Sequence, residues 1–200
     1  LQLRAALQAL GETRAENERL RSLLGYAEVV PGPELPARVV GVNPVSKLLS
    51  VRINRGEDEG VFRGMSVVTP DGIVGQVVRT TGGWADVALV TDPESRVAVR
   101  VQSSRARGTA AGTGKGPLRL ENMLRTEDVK EGDLIITSGT DGVYPPGLVV
   151  GRVTRLQKKE HGMFLGGDIE PAVDTTRLEE VLVVGSPFGS LVQAPVGGER

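Results

Sequence analysis

Through most of this chain short valine-rich runs alternate with Gly, Asp and Pro, and in the clearest of them apolar residues recur at every second position. Leu49, Val51 and Ile53 alternate with Ser50, Arg52 and Asn54, and Val97, Val99 and Val101 oppose Arg96 and Arg100. Leu118, Leu120 and Leu124 likewise oppose Arg119, Glu121 and Arg125. A period of two is that of a strand with one face buried. The pattern predicts twelve strands, over 37–42, 48–54, 65–69, 72–79, 86–91, 96–102, 108–112, 117–122, 133–138, 147–156, 163–170 and 178–184. Steps such as Pro70-Asp71-Gly72 punctuate them, because glycine supplies the positive φ that a tight hairpin needs.

The first 24 residues follow a different rhythm. Written as heptads, their a positions hold Leu3, Leu10, Asn17 and Leu24, and their d positions Ala6, Thr13 and Leu20. An asparagine at a fixes register and strand number in a coiled coil, and Glu16 at g with Arg21 at e has the offset of an interchain ion pair in a parallel dimer. Two readings follow: the end of a dimeric coiled coil over residues 1–25, or an amphipathic helix lying on its own domain. Residues 26–36, with Pro31, Gly32, Pro33 and Pro36, form a stiff linker that no helix continues through. Residues 186–200 return to proline, glycine and serine and read as a flexible tail.

An internal repeat organises the β region. Glu59 to Val77 and Glu127 to Val153 each run acidic residue, Gly-X, apolar strand, Asp-Gly turn, then glycine, one residue and valine. Gly64-Met65 answers Gly132-Asp133, and Gly75-Gln76-Val77 answers Gly151-Arg152-Val153. After each match a turn with Asp and Pro precedes a valine strand, at 97–101 and at 181–184. The expectation is a mainly β chain: an N-terminal coiled-coil helix, then two small six-stranded β-barrel-like units, 37–103 and 107–185, with the paired glycines where strands bend at barrel corners.

Composition then removes most chemistry. With no cysteine and one histidine among 200 residues, the chain lacks disulfides, thiolate nucleophiles and Cys/His zinc sites. A net charge of −1 and 3% aromatic residues argue against a dedicated nucleic-acid binder. His161, in a polar loop, is the sole histidine available as a general base, and Ser138 is the nearest approach to a nucleophile. Gly112-Thr113-Gly114-Lys115-Gly116 fails as a phosphate loop, since Thr109 stands where a glycine is required and Gly116 where serine or threonine should follow the lysine. Glu57-Asp58-Glu59-Gly60 lacks calcium-loop spacing and reads as a solvated turn. No catalytic, metal or cofactor site is expected. The densest basic stretch, Arg96, Arg100, Arg105 and Arg107 followed by Lys115 and Arg119, reads as a solvated strand face or a patch for an anionic partner. Residues 137–147 carry Val143 and Tyr144 between prolines and glycines, and serve either as apolar anchors for a partner or as a packed barrel corner.

Several motifs in order carry a family resemblance: Ala37-Arg38-Val39-Val40-Gly41, Asn54-Arg55-Gly56, Gly64-Met65-Ser66-Val67-Val68, Gly72 to Val77, Leu89-Val90-Thr91-Asp92, Gly132 to Gly139, and Tyr144-Pro145-Pro146-Gly147-Leu148 to Val153. Together they resemble the MreC family, the rod-shape-determining proteins of bacterial cell-wall elongation. The resemblance implies barrels of the chymotrypsin type in a dimeric, non-enzymatic scaffold. It implies one membrane anchor upstream of Leu1, a body on the outer, periplasmic side of the cytoplasmic membrane, and possible higher self-assembly. The partners it implies are penicillin-binding protein 2, MreD, RodA and MreB. On the residues alone two other classes stay open: a secreted or periplasmic coiled-coil adaptor with β-barrel domains, and an inactive relic of a chymotrypsin-like protease.

The heptad seam makes the first prediction. Asn17→Leu is expected to raise the stability of the assembly while shifting it from dimers toward higher oligomers, because the buried amide no longer specifies strand number. Sedimentation of the chain, of this variant and of a chain beginning at Tyr26 checks it. Equal particle mass with and without the helix refutes the seam.

Overall fold

A computed structural model of the chain describes residues 11, 35–42, 48–114, 116–157 and 162–185. The chain divides into two units, Leu1–Val30 and Pro31–Arg200. In the first unit Gly11, helical and exposed, is the one residue described. The proposed seam residues Leu3, Leu10, Asn17, Leu20, Leu24, Glu16 and Arg21 therefore lie outside the described residues, as does the tail 186–200.

The second unit is built of twelve strands, one for each of the twelve predicted: β1 (Leu35–Val42), β2 (Ser50–Ile53), β3 (Ser66–Thr69), β4 (Gly72–Thr81), β5 (Trp84–Leu89), β6 (Arg96–Val101), β7 (Arg107–Ala111), β8 (Leu118–Leu124), β9 (Leu134–Thr137), β10 (Val149–Gln157), β11 (Phe164–Pro171) and β12 (Glu180–Val184). They close into two barrels, in the orders β1-β12-β3-β4-β5-β2 and β10-β11-β8-β7-β6-β9. The inward residues are small and branched, as a narrow barrel requires. Val51, Ile53, Val67, Val74, Val87 and Val183 fill the first; Val99, Leu118, Leu120, Met123, Ile135 and Ile169 fill the second.

The membership of two strands corrects the sequence-based division into 37–103 and 107–185. β6 pairs with β7 and β9, so it belongs to the second barrel. β12 pairs with β1 and β3, so it belongs to the first, with Val183 opposite Leu35 on one side and Val67 on the other. The second barrel thus occupies Arg96 to Pro171 without interruption and is inserted between β5 and β12 of the first. The reason is closure. β1 and β3 each present an unpaired edge, and β12 supplies hydrogen bonds to both at once. Alternation in a sequence reports which face of a strand is buried and not which neighbours it takes.

The repeat survives this exchange with its roles matched: β3 and β4 correspond to β9 and β10, and β12 to β6. Gly64 and Gly132 both sit at positive φ, 94° and 92°, a region that side chains disfavour. The Gly64 N–H donates to the Val77 carbonyl at 2.8 Å, and that of Gly132 to the Val153 carbonyl at 2.7 Å. Gly75 and Gly151 are the close approaches, since a Cβ there would lie 1.9 Å from the Ala88 carbonyl oxygen and 2.0 Å from that of Glu170. The register shifts beside each of them, between Val67 and Val68 and between Val149 and Gly151, so the predicted bends are β-bulges.

One buried carboxylate ties three strands of the first barrel on its outer face. Asp86 on β5 is 4% exposed. Arg52 on β2 donates to its Oδ1 from Nε at 2.8 Å, and Arg79 on β4 donates to its Oδ2 from Nη2 at 2.6 Å. The Arg52 guanidinium also stacks 3.6 Å from the Trp84 ring centre. Burial pushes the Asp86 pKa up, but the hydrogen bonds and charges of Arg52 and Arg79 outweigh it and hold the carboxyl below its ordinary value.

Two predictions follow from these contacts. Ending the chain after Pro171 removes β12 with Val173 and Leu178, which pack in the first barrel's core, and it should expose the amides of β1 and β3 to hydrogen exchange while those of β7 and β8 stay protected. Retained protection in β1 and β3 would show that the first barrel closes without its last strand. Asp86 contributes stability that is complete above its unfolded pKa of about 3.9 and is lost as the pH falls through the lower folded value. Asp86→Asn should cost about 1.5–3 kcal/mol near neutrality, and its deficit against the parent in urea unfolding should shrink as the pH drops below about 4. A deficit independent of pH would show that the charge is not what matters.

Candidate functional site

Among the described residues no sequence candidate for chemistry assembles into a reactive group. His161 and Lys115 lie outside the described residues. The Ser138 hydroxyl is buried and lies 2.7 Å from the Thr140 hydroxyl. Among the described residues no group of three His, Cys, Asp or Glu side chains could hold a metal ion. In the loop between β7 and β8, the Gly112 N–H donates to the Ser95 carbonyl and the Gly114 N–H to the Thr91 carbonyl. Those donors are therefore spent on the fold and do not face a phosphate. Glu57–Glu59 forms one exposed 3-10 turn, closed by the Glu59 carboxylate accepting from the Gly56 N–H at 2.8 Å.

The loop of Val143 and Tyr144 is a packed corner, which corrects its reading as an anchor for a partner. Tyr144 is 4% exposed and belongs to the second barrel's core. Burial, with the nearby Asp141 charge, pushes its phenol well above the ordinary range. Asp141 accepts from the Ala98 N–H and the Val143 N–H, both at 3.0 Å, and so pins the loop to β6. The Val143 carbonyl accepts from the Ser66 hydroxyl on β3 at 3.2 Å, joining the two barrels at this point. Val68, Ile73 and Val184, on strands of the first barrel, complete the same apolar cluster. The prolines and glycines of this loop therefore serve the turn and the contact between barrels.

On the outer surface the exposed large apolar residues, Phe62 apart, fall into two groups. Val40, Val42 and Leu49 stand exposed around the end of β1 and the start of β2. On the second barrel Leu124 is 43% exposed, Met163 71% and Phe164 47%. Phe164 pairs with Leu124 across β11 and β8, and the Arg125 N–H donates to the Met163 carbonyl at 2.9 Å, so the three are neighbours. Leu124 was expected to share the buried face of Leu118 and Leu120. It does not, because Asn122 adopts φ 57°, in the left-handed region, and shifts the register between Leu165 and Gly167. Met123 then turns inward and Leu124 outward. The signal in the sequence is the run Met163-Phe164-Leu165 at the start of β11: successive strand residues face opposite ways, so with Leu165 inward Phe164 faces out.

The basic stretch divides in two. Arg96 and Arg119 share Glu121, at 3.8 and 3.7 Å. Arg100, Arg105 and Arg107 lie together, and among the described residues none of them pairs with a carboxylate. Among the described residues no helix is long and apolar enough to cross a membrane.

Comparison with known proteins agrees with the architecture. Residues 39–185 match the family described as rod shape-determining protein MreC, barrel core. The cell shape-determining protein MreC of Bacillus subtilis is 32% identical over 196 residues, covering 92% of this chain and 67% of that protein. The structure of MreC from Listeria monocytogenes superposes with a TM-score of 0.83 at 27% identity, covering 93% of this chain and 91% of its own. Two more distant structures share the fold. One is the major periplasmic domain of the cell shape-determining filament MreC, 22% identical with a TM-score of 0.68 over 77% of this chain and 96% of that one. The other is MreC of Helicobacter pylori in complex with penicillin-binding protein PBP2, 17% identical with a TM-score of 0.62 over 77% and 98%. With two closed six-stranded barrels in this order and a family match spanning nearly all of them, the chain belongs to the MreC family of rod shape-determining proteins, which set cell shape.

Proposed function

We propose that this chain is the body of a non-enzymatic scaffold outside the cytoplasmic membrane, held by an anchor upstream of Leu1. It dimerises through Leu3, Leu10, Asn17, Leu20 and Leu24 with the Glu16–Arg21 pair, and it seats a transpeptidase of the penicillin-binding protein 2 class. MreD, RodA and MreB complete the assembly on the strength of the family resemblance. The complex known for the Helicobacter pylori relative supports the transpeptidase, and the periplasmic domain of another relative supports the compartment.

The observation that carries the partner role is the grouped exposure of Leu124, Met163 and Phe164 on a barrel whose interior is already filled. Exposed apolar side chains scattered singly need no explanation, but a contiguous group marks a contact. An aromatic ring and a flexible thioether are the residue types that dominate binding energy at such places. The committed hydroxyl of Ser138 further favours a scaffold over a hydrolase.

The test is binding of the full chain to the soluble domain of the same bacterium's penicillin-binding protein 2. Met163→Ser with Phe164→Ser should leave the melting temperature within a few degrees and weaken binding at least tenfold, a loss of about 1.4 kcal/mol or more. Tyr144→Ala, by contrast, should destabilise the second barrel by about 3–5 kcal/mol, as truncation of a buried aromatic does. Undiminished binding by a folded Met163/Phe164 double variant would remove this surface from the interface.

A further inference from the structure

Three arginines on the second barrel are left facing one another. Arg100 on β6 and Arg107 on β7 are direct cross-strand partners, and like charges placed opposite each other are unfavourable in a sheet. Arg105, in the turn that joins the two strands, has φ 65°, one of two non-glycine residues at positive φ among those described. The conformation keeps a third guanidinium beside the other two. Among the described residues none of the three makes an ion pair, although Arg96 and Arg119 on the same barrel find Glu121. The Arg100 Nε–H is buried and donates to nothing. Burial, with the fields of Arg105 and Arg107, holds the Arg100 pKa below its ordinary value. A buried charged donor without an acceptor is rare in native structures and calls for an explanation.

We propose that Arg100, Arg105 and Arg107 form an oxyanion site that receives a carboxylate from an acidic segment of a protein partner. A guanidinium presents a planar fork of N–H donors that matches a carboxylate, and the Arg100 Nε–H supplies a donor with no competing acceptor. The neighbouring Arg96 and Arg119 share one carboxylate, Glu121, which leaves the unpaired positive charge concentrated at Arg100, Arg105 and Arg107. The site is also continuous with the apolar group. β7 lies between β6 and β8, and the antiparallel register that pairs Thr109 with Glu121 carries Arg107 toward the end of β8 that holds Leu124. A segment with an acidic residue beside apolar ones meets both features together. The inference goes beyond the transpeptidase reading, because it concerns the chemistry of the segment and not the identity of the protein that carries it.

Nuclear magnetic resonance of the full chain can test this without any partner. Two capped hexapeptides serve as probes, one alternating glutamate with leucine and the other glutamine with leucine. The glutamate peptide should shift the Arg100 Nε–H signal and bind at least tenfold more tightly than the glutamine peptide at low salt. That advantage should vanish in Arg100→Gln and fall in Arg107→Gln. Arg107 is exposed, so its variant should fold even if the Arg100 variant does not. Without peptide, Arg107→Gln should melt no lower than the parent, since it relieves repulsion; a residue with a purely structural role would lower the melting temperature. Equal binding of the two peptides, or a glutamate preference that persists in a folded Arg107→Gln with Arg105→Gln, overturns the proposal. Arginine-dependent binding to vesicles containing phosphatidylglycerol, with no preference between the peptides, would assign the site to lipid and overturn it as well. Because neither assay uses the transpeptidase, failure here leaves the reading of Met163 and Phe164 untouched.

Discussion

Closure of each sheet on itself is the constraint from which the rest of this body follows. A six-stranded sheet left open would expose two edges of unpaired N–H and C=O groups, and a closed one exposes none. The chain closes both barrels by exchanging strands between the halves of its repeat. The valine strand that ends the first half, β6, closes the second barrel, and the one that ends the second half, β12, closes the first. The polypeptide therefore leaves the first barrel unfinished, builds the whole of the second, and returns. Loop closure over such a distance costs little more entropy than over a short one, because the cost grows only with the logarithm of length. The gain is a double tether, since two chain segments and not one join the second barrel to the first.

The same constraint explains why the repeat is visible in glycines more than in core residues. Valine, isoleucine and leucine substitute for one another inside a narrow barrel at small cost, so core identity drifts. A position where a Cβ would collide with a carbonyl has no such freedom. Gly75 and Gly151 stand where a bulge bends β4 and β10 against the next strand, and Gly64 and Gly132 stand at left-handed turns. Even the flanking side chains keep the role: Gln76 donates to the Gly64 carbonyl at 3.1 Å, and Arg152 to the Gly132 carbonyl at 3.2 Å. Backbone geometry is the shared inheritance of the two halves.

Local physics made the strands legible in the sequence, and non-local physics hid their partners. All twelve strands follow from short valine-rich runs, some of them alternating, set between turn residues, and the bends follow from paired glycines. The exchange of β6 and β12 did not, because Val97 to Val101 and Val181 to Val184 are both short valine strands that end a half of the repeat, and nothing local says which barrel each one joins. The outward turn of Leu124 was concealed by one asparagine in the left-handed region, a shift of one residue that reverses the facing of everything after it. Tyr144 read as a packed corner more readily than as an anchor, and its burial, with the Ser66 hydroxyl on the neighbouring carbonyl, supports the corner. Asp86 is invisible as a clamp until Arg52 and Arg79 arrive from strands 34 and 7 residues away.

A barrel filled with small branched side chains has no interior left to offer a substrate, so specificity must be written on its outside. There the chain treats charge in two ways. On the first barrel two guanidiniums converge on one buried carboxylate, and the arrangement is complete in itself, with Trp84 covering one cation. On the second barrel three guanidiniums meet no carboxylate among the described residues, although Glu121 lies on the neighbouring strand β8. The contrast within one fold is informative, because both clusters sit on outward positions of the same kind of sheet and meet the same solvent. A carboxylate at the place of one arginine would have neutralised the second cluster from within, as Asp86 does the first. Leaving it out keeps the field of the cluster directed away from the barrel, where it lowers the free energy of any group of opposite charge that arrives. The apolar surface of Leu124, Met163 and Phe164 supplies non-directional attraction at the adjoining end of β8, and the arginines supply orientation. Together they divide affinity from specificity in the way protein interfaces commonly do.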